Sequence, residues 1–367
     1  MLEGKRTALF ETHEKMGGKL IEFSGWVMPV QYEGIIEEHE AVRNTAGIFD
    51  VSHMGEVRIK GKAATDFVQH LFTNDISVLV EGQVQYGMMC YENGTVVDDL
   101  LVYKYANDHY LLVINAGNID KDMAWINEHA KNFEVVVEPL SDLLSEVAIQ
   151  GPLAEAILQK LSNIDLATIG FFHFLDGVEI DGINCIVSRT GYTGEDGFEV
   201  YTHNENIAQI WNKLMEVGAV DGLKPCGLGC RDTLRFEASL PLYGHEISNE
   251  ITPLEAGLGF FVKLDKTDFI GKDALVKQKQ VGLSRKLVGF EMSKGIPRQG
   301  YEVFSGDEEI GVVTTGYYSP TLKRNIGLAL IQSEFASMGG NISVQVRKKR
   351  FDAVIISKKF YQKQYKK

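Results

Sequence analysis

Apolar and polar positions change period several times along this chain, and each change marks an element. Helices are predicted near Thr7–Met16, over Glu33–Asn44 (a segment rich in Glu and His) and over Gly61–Phe72, with Ser24-Gly25-Trp26-Val27-Met28-Pro29 as a loop between the first two. Val57 and Ile59 alternate with charged neighbours, the pattern of a half-buried strand. Gln85–Tyr91, Val96–Tyr105 and Tyr110–Ile114 read as an antiparallel meander, turning at Glu92-Asn93-Gly94 and Ala106-Asn107-Asp108. Ile119, Met123, Ile126 and Ala130 then share one helical face. Val147–Gln150 predicts a strand that turns at Gly151-Pro152 into a helix with Leu153, Ile157 and Leu161 on its core face. Ile207, Ile210, Trp211, Leu214 and Met215 make an amphipathic helix that Asn204 or Asn206 would cap, and a further helix spans about Gly227 to Ser239.

From Lys286 the texture changes. Short β-rich runs recur at Leu287–Met292, Tyr301–Phe304, Ile310–Thr315, Ile326–Ile331, Asn341–Val346 and Asp352–Ser357, mostly separated by Gly, Pro, Asn or Asp. They predict a small β-barrel or sandwich, joined to the rest through the lysine-rich Thr267–Lys286. The fold class is therefore α+β, and 367 residues suffice for two or three domains.

Composition narrows the function. No run of eighteen apolar residues exists, which predicts no membrane-spanning helix. The N-terminal Met1-Leu2-Glu3-Gly4-Lys5-Arg6 lacks the apolar core of a signal peptide, so the expected location is cytoplasmic. Cys90, Cys185, Cys226 and Cys230 are too few for a disulfide framework; Cys226 and Cys230 are spaced C-x3-C without a second ligand pair, and buried thiols are expected, with no metal. A net charge of −13 argues against general nucleic-acid binding. Yet Gln345–Lys367 holds nine Lys or Arg against one Asp, a balance of +8 that leaves −21 on the remainder. Such a segment is either a solvated tail or a docking patch for an acidic partner.

Candidate chemistry lies in two stretches. In Ser188–Tyr201 three glycines (Gly191, Gly194, Gly197) let the backbone turn tightly, after which Phe198 and Val200 share one strand face, Glu199 and Tyr201 the other. Alone, this reads as a surface hairpin with solvated acids; a carboxylate beside glycine turns and tyrosines also suits a flat heterocycle with donors on one edge. In Val96–Val102, Asp98 and Asp99 sit inside an apolar strand, where an unpartnered carboxylate is costly. Alternation sends them to opposite faces, so only one enters a given pocket. Arg231 and Arg235 lie four apart on a helix, as a solvated face or as a pair of anion contacts. His13, His39 and His53 form no close i, i+4 pair and read as ordinary polar or core histidines. There is no internal repeat, Walker A loop or dinucleotide fingerprint.

Taken together, Phe49-Asp50-Val51-Ser52-His53-Met54, Val97-Asp98-Asp99-Leu100, Gly191-Tyr192-Thr193-Gly194-Glu195-Asp196-Gly197 and Arg231-Asp232-Thr233-Leu234-Arg235, in this order, closely resemble the aminomethyltransferase, or T-protein, family of the glycine cleavage system. The likeness extends through Leu242-Tyr243-Gly244 to Ser319-Pro320-Thr321-Leu322-Lys323. It implies a three-domain cloverleaf around a central folate channel. The discontinuous first domain would be residues 1–50 with 140–250, the insert 51–139, the connection 251–285 and the C-terminal β-barrel domain 286–367. The implied reaction moves the methylene carbon of an aminomethyl group from the lipoyl arm of a carrier, the H-protein, to tetrahydrofolate. Ammonia leaves, 5,10-methylenetetrahydrofolate forms, and neither metal nor nucleotide is required. By motif, Asp99 would be the catalytic carboxylate, Glu199 the acid pairing with the pterin edge, and Tyr192, Arg231, Asn115, Met54 and Tyr365 further folate contacts. Related folate oxidases and dehydrogenases acting on dimethylglycine or sarcosine carry a flavin domain, which the missing dinucleotide fingerprint disfavours; a non-enzymatic folate-binding relative lacks a reason for paired aspartates.

Overall fold

The computed structural model describes residues 2–366. Met1 and Lys367, the ends of the N-terminal hexapeptide and of the basic segment, lie outside the described residues. Three open sheets and one closed barrel are arranged around a central cavity. A six-stranded sheet takes strands from distant parts of the chain, in the order Phe174–Ile180, Ile183–Ser188, Gly197–His203, Leu144–Gln150, Ala46–Asp50, Leu223–Cys226. Only the last pair is parallel. Phe198 and Val200 point into a core shared with the helix Ile207–Gly218 through Ile207, Ile210, Trp211 and Leu214. A five-stranded antiparallel sheet orders Val84–Cys90, Val96–Ala106, His109–Ile114, Gly55–Lys60 and Val136–Pro139, with the helices Ala64–Leu71 and Ile119–Ala130 over its apolar face. The six C-terminal strands close as Arg285–Met292, Arg324–Gln332, Glu308–Ser319, Glu302–Ser305, Asn341–Val346, Lys349–Ile356, a barrel rather than a sandwich. No helix among the described residues is long and apolar enough to cross a membrane.

Two local expectations are corrected. The loop assigned to Ser24–Pro29 is a hairpin turn and a strand: Ser24 and Gly25 take φ of 50° and 80°, and Trp26–Gln31 pairs antiparallel with Lys19–Phe23. Pro29 is tolerated because the other neighbour, Lys5–Arg6, pairs only at Trp26 and Val27, so no ladder bond is lost at the proline. The helix starting at Ile207 has no side-chain cap. Asn206 stands at the N-cap position without a capping bond, and Asn204 is tied instead to Asp142 and Ser145. The Thr267–Lys286 stretch holds a helix, Lys272–Val281, anchored by buried Leu275. All four cysteines are free and buried.

Candidate functional site

The Asp98–Asp99 strand pairs on one side with Val84–Cys90, where a shift between Met89 and Cys90 sets Met88 opposite Asp99 and Tyr86 opposite Leu101. Tyr86 is therefore a diagonal neighbour of Asp99 on the same face, and its hydroxyl donates to Asp99 Oδ2 at 2.9 Å. From the other side the Asn115 amide donates to Asp99 Oδ1 and to Asp98 Oδ1, each at 2.8 Å. Asp98 is turned away from the cavity and fully buried, accepting also from the Asn115 backbone N–H at 3.0 Å and from the Asn118 amide at 2.7 Å. Burial, then the charge of Asp98, pushes Asp99 up to about 7 against the lowering effect of Tyr86 and Asn115. Behind them Asp122 is pushed up to about 10 by burial and by Asp98, against the pull of the Lys121 ammonium at 3.0 Å.

The glycine loop is not a surface hairpin with solvated acids. Arg189 grips Asp196 through Nε at 3.0 Å and Nη2 at 2.7 Å, while Glu195 accepts from Arg43 at 2.9 Å and from the Tyr361 hydroxyl at 2.6 Å. Gln150 fastens the loop through Thr193 Oγ1 at 2.9 Å and the Thr190 carbonyl at 3.1 Å. Gly194 takes φ of 86°, and a Cβ there would meet Ala238 Cβ at 2.8 Å; a Cβ on Gly197 would meet the Ile149 carbonyl at 2.4 Å. Two of the three acids are thus spent on buried ion pairs, and Glu199 alone faces the cavity, where it accepts a hydrogen bond from Thr190 Oγ1.

Nor is Arg231–Arg235 a solvated face. Arg235 is fully buried, its guanidinium held by Asp232 and Glu246, each at 2.7 Å. Arg231 instead lies on the cavity wall, 4.9 Å over the Tyr192 ring, whose hydroxyl donates to the Pro241 carbonyl. Tyr365 reaches the same cavity from the C-terminal tail and stacks on Phe171 at 4.5 Å between ring centres. The cavity has a volume of about 1420 Å³ and brings together all seven candidate residues: Met54, Asp99, Asn115, Tyr192, Glu199, Arg231 and Tyr365.

Tyr86, His53 and Glu146 are among the wall residues that the sequence reading did not single out. Tyr86 is indicated by hairpin register once Asp99 is suspected. His53 was set aside with the core histidines; His13 and His39 are indeed buried in the interior, but His53 lines the cavity, with burial and then Arg231 pulling it down to about 4. Glu146 alternates with Leu144, Ala148 and Gln150 on one face of its strand, and nothing in its spacing singles it out. Among the described residues, Glu38, Cys226 and Cys230 form the one cluster with metal-ligand atoms close together. Its carboxylate is already occupied by the backbone N–H groups of Tyr32 at 2.6 Å and Gly227 at 2.8 Å, so it serves as a backbone clamp.

The GCVT N-terminal domain matches residues 9–266, and the glycine cleavage T-protein C-terminal barrel domain matches residues 285–362. The chain is 61% identical over 368 residues to an aminomethyltransferase of Alkaliphilus oremlandii (strain OhILAs), covering 100% of both. It is 56% identical over 361 residues to one from Geobacillus sp. (strain WCH70), covering 98% of this chain and 99% of that one. The crystal structure of glycine cleavage system aminomethyltransferase T from Bartonella henselae superposes with a TM-score of 0.93 at 32% identity, covering 99% of each chain. The chain belongs to the aminomethyltransferase, or T-protein, family of the glycine cleavage system, a family of transferases.

Proposed function

We propose that this enzyme takes the methylene carbon from the aminomethyl-lipoyl arm of the glycine cleavage H-protein and transfers it to tetrahydrofolate, as co-substrate, in the cytoplasm. The observation that carries the reading is one cavity walled by two carboxylates from different sheets, Asp99 and Glu199. Its volume of about 1420 Å³ exceeds the roughly 300–1,000 Å³ typical of a single small ligand, leaving room for folate and the carrier's arm together.

A pterin presents an amide N–H beside an exocyclic amine, and one carboxylate accepts both; Glu199 is placed for that contact. Arg231, Tyr192, Met54 and Tyr365 complete the folate walls, and Asn115 holds Asp99 in place. Forming two C–N bonds removes one hydrogen from each reacting folate nitrogen. One proton ends on the departing ammonia and the other on the lipoyl sulfur, which regains its thiol. A fixed carboxylate with a proton affinity near neutrality is suited to orient the attacking amine and to hold or pass such a proton. Asp99 is the group in that position. Incubation with tetrahydrofolate and aminomethyl-lipoyl carrier should release ammonia and form methylenetetrahydrofolate. Absence of folate-dependent ammonia release from a folded sample would count against the reading.

A further inference from the structure

The sheet face that carries Glu199 carries a second carboxyl group with no part in the chemistry above. Glu146, on Leu144–Gln150, stands opposite Tyr201 in the register with Gly197–His203, while Glu199 stands opposite Ala148. Glu146 and Glu199 are therefore diagonal neighbours on one face, roughly 7–8 Å apart along the backbone. Both line the cavity, at 2% and 6% exposure. A third carboxyl, Glu56, comes from the Gly55–Lys60 strand of the other sheet, fully buried and with neither oxygen hydrogen-bonded among the described residues.

The charged and titratable groups near Glu146 are Glu199 and Tyr201 on the adjacent strand, Glu56, Tyr103 on Val96–Ala106, and Arg231 on Leu228–Glu237. Asp50, on the other neighbouring strand, pairs with Val147 and turns to the opposite face, where His13 at 2.8 Å and Thr7 at 2.7 Å hold it. Three largely buried carboxyl groups thus share one cation, and like charges so placed do not all ionise. The hydrogen bonds decide which stays neutral. Burial raises Glu199 too, but the Thr190 hydroxyl that it accepts and the charge of Arg231 both favour its charged form. Glu146 feels Arg231 as well, but it has no counterpart to the Thr190 bond: the hydroxyl beside it, that of Tyr201, is paired with that of Tyr103 at 2.9 Å. Burial, then the charges of Glu199 and Glu56, raises Glu146 well above the ordinary carboxylate range.

We propose that Glu146 meets the ligand as a carboxylic acid and donates its proton in a hydrogen bond to an acceptor atom of the heterocycle, next to the edge whose donors Glu199 accepts. The proposal rests on the folate reading. A pterin's donor pair is flanked by a carbonyl oxygen and an unprotonated ring nitrogen, so a wall with one acceptor and one donor reads the ring edge in a single orientation. An ionised Glu146 would instead face those lone pairs and repel Glu199.

The test is the affinity of 5-formyltetrahydrofolate, a stable reduced folate, for the full-length wild type and for Glu146→Gln, Glu146→Ala and Glu199→Gln, from about pH 6 to pH 9. Wild-type affinity should fall as pH rises through the titration of Glu146. Glu146→Gln keeps shape, neutrality and a donor. It should hold the low-pH wild-type affinity within about twofold and lose much of the pH slope, while Glu146→Ala should bind about tenfold more weakly at low pH. Glu146→Leu, which fills the volume without a donor, replaces the alanine variant if thermal melts show the latter unfolded. Equal losses in Glu146→Gln and Glu199→Gln, or Glu146→Ala binding like wild type, would overturn the proposal. Failure of the wild type itself to bind the folate would overturn the underlying reading instead.

Discussion

At the scale of single residues, two neighbouring aspartates stand in different settings, Asp99 on the cavity wall and Asp98 buried behind it. Asp99→Asn keeps shape and removes charge, so folate should still bind while ammonia release falls by about 10²- to 10⁴-fold. In the wild type, turnover should rise as pH passes about 7 and Asp99 ionises. Tyr86→Phe deletes a hydrogen bond that favours the charged form and should move that rise to higher pH; Asp98→Asn deletes a like charge and should move it lower. Identical pH–rate profiles in all three proteins would remove Asp99 from the chemistry. Glu56 gives a stability counterpart. Burial pushes it up to about 8 from an ordinary value of 4.5, so between these pH values the unfolded chain has lost a proton that the folded chain keeps. Its stabilising effect, complete below pH 4.5, is lost as pH rises towards 8. Glu56→Gln should therefore raise the melting temperature at pH 8 more than at pH 5, and an equal shift at both would mean that Glu56 is already charged in the fold.

At the scale of elements, what the sequence made legible was whatever a period controls. The alternation at Asp98 and Asp99 placed one in the cavity and one behind it; the alternation at Phe198–Tyr201 separated core from cavity face; the spacing of apolar runs after Lys286 located the barrel strands. What remained hidden are partnerships across long sequence separations, which no period records. Arg43 joins Glu195 and Glu237, and Arg235 joins Glu246, so acids that look solvated in the sequence are buried in pairs. The strand at Trp26–Gln31 was hidden by its proline, acceptable only because the neighbouring strand is so short. The C-terminal tail shows the same limit. Its residues look like a frayed lysine-rich end, yet Tyr361 meets Glu195, the Gln364 backbone N–H donates to Gly194 at 2.8 Å, Lys366 meets Glu155 at 3.2 Å, and Tyr365 forms cavity wall. Ending the chain after Phe360 should leave the barrel intact, since its last strand ends at Ile356, but weaken folate binding about tenfold by opening that wall. Wild-type affinity in the truncated protein would show that the tail is not part of the site.

For the whole molecule, the uneven charge acquires a geometry. The segment with a balance of +8 divides in two: a hairpin tip, where Arg347, Lys348, Lys349 and Arg350 are exposed between the last two barrel strands, and the tail, which lies along the protein and spends Lys366 on Glu155 and Lys358 on the Ala256 carbonyl. If an acidic carrier docks through this segment, the tip offers the freer charges in Arg347, Lys348 and Lys349, since Arg350 is engaged by the Gly306 carbonyl at 3.1 Å and Asp307 at 3.5 Å, on a body that otherwise carries −21 and so repels an acidic protein elsewhere. Exposed charges are screened over roughly 8–10 Å at moderate ionic strength, so carrier affinity should fall steadily with added salt. Replacing Lys348, Lys349 and Arg350 with glutamine should flatten that dependence, whereas replacing Lys359 and Lys366 should change it little. Folate affinity measured without carrier should be the same in both sets, because none of these side chains lines the cavity. A salt dependence that survives neutralisation of the tip would place the docking surface elsewhere, and one that disappears with the tail replacements would place it on the tail that lines the cavity.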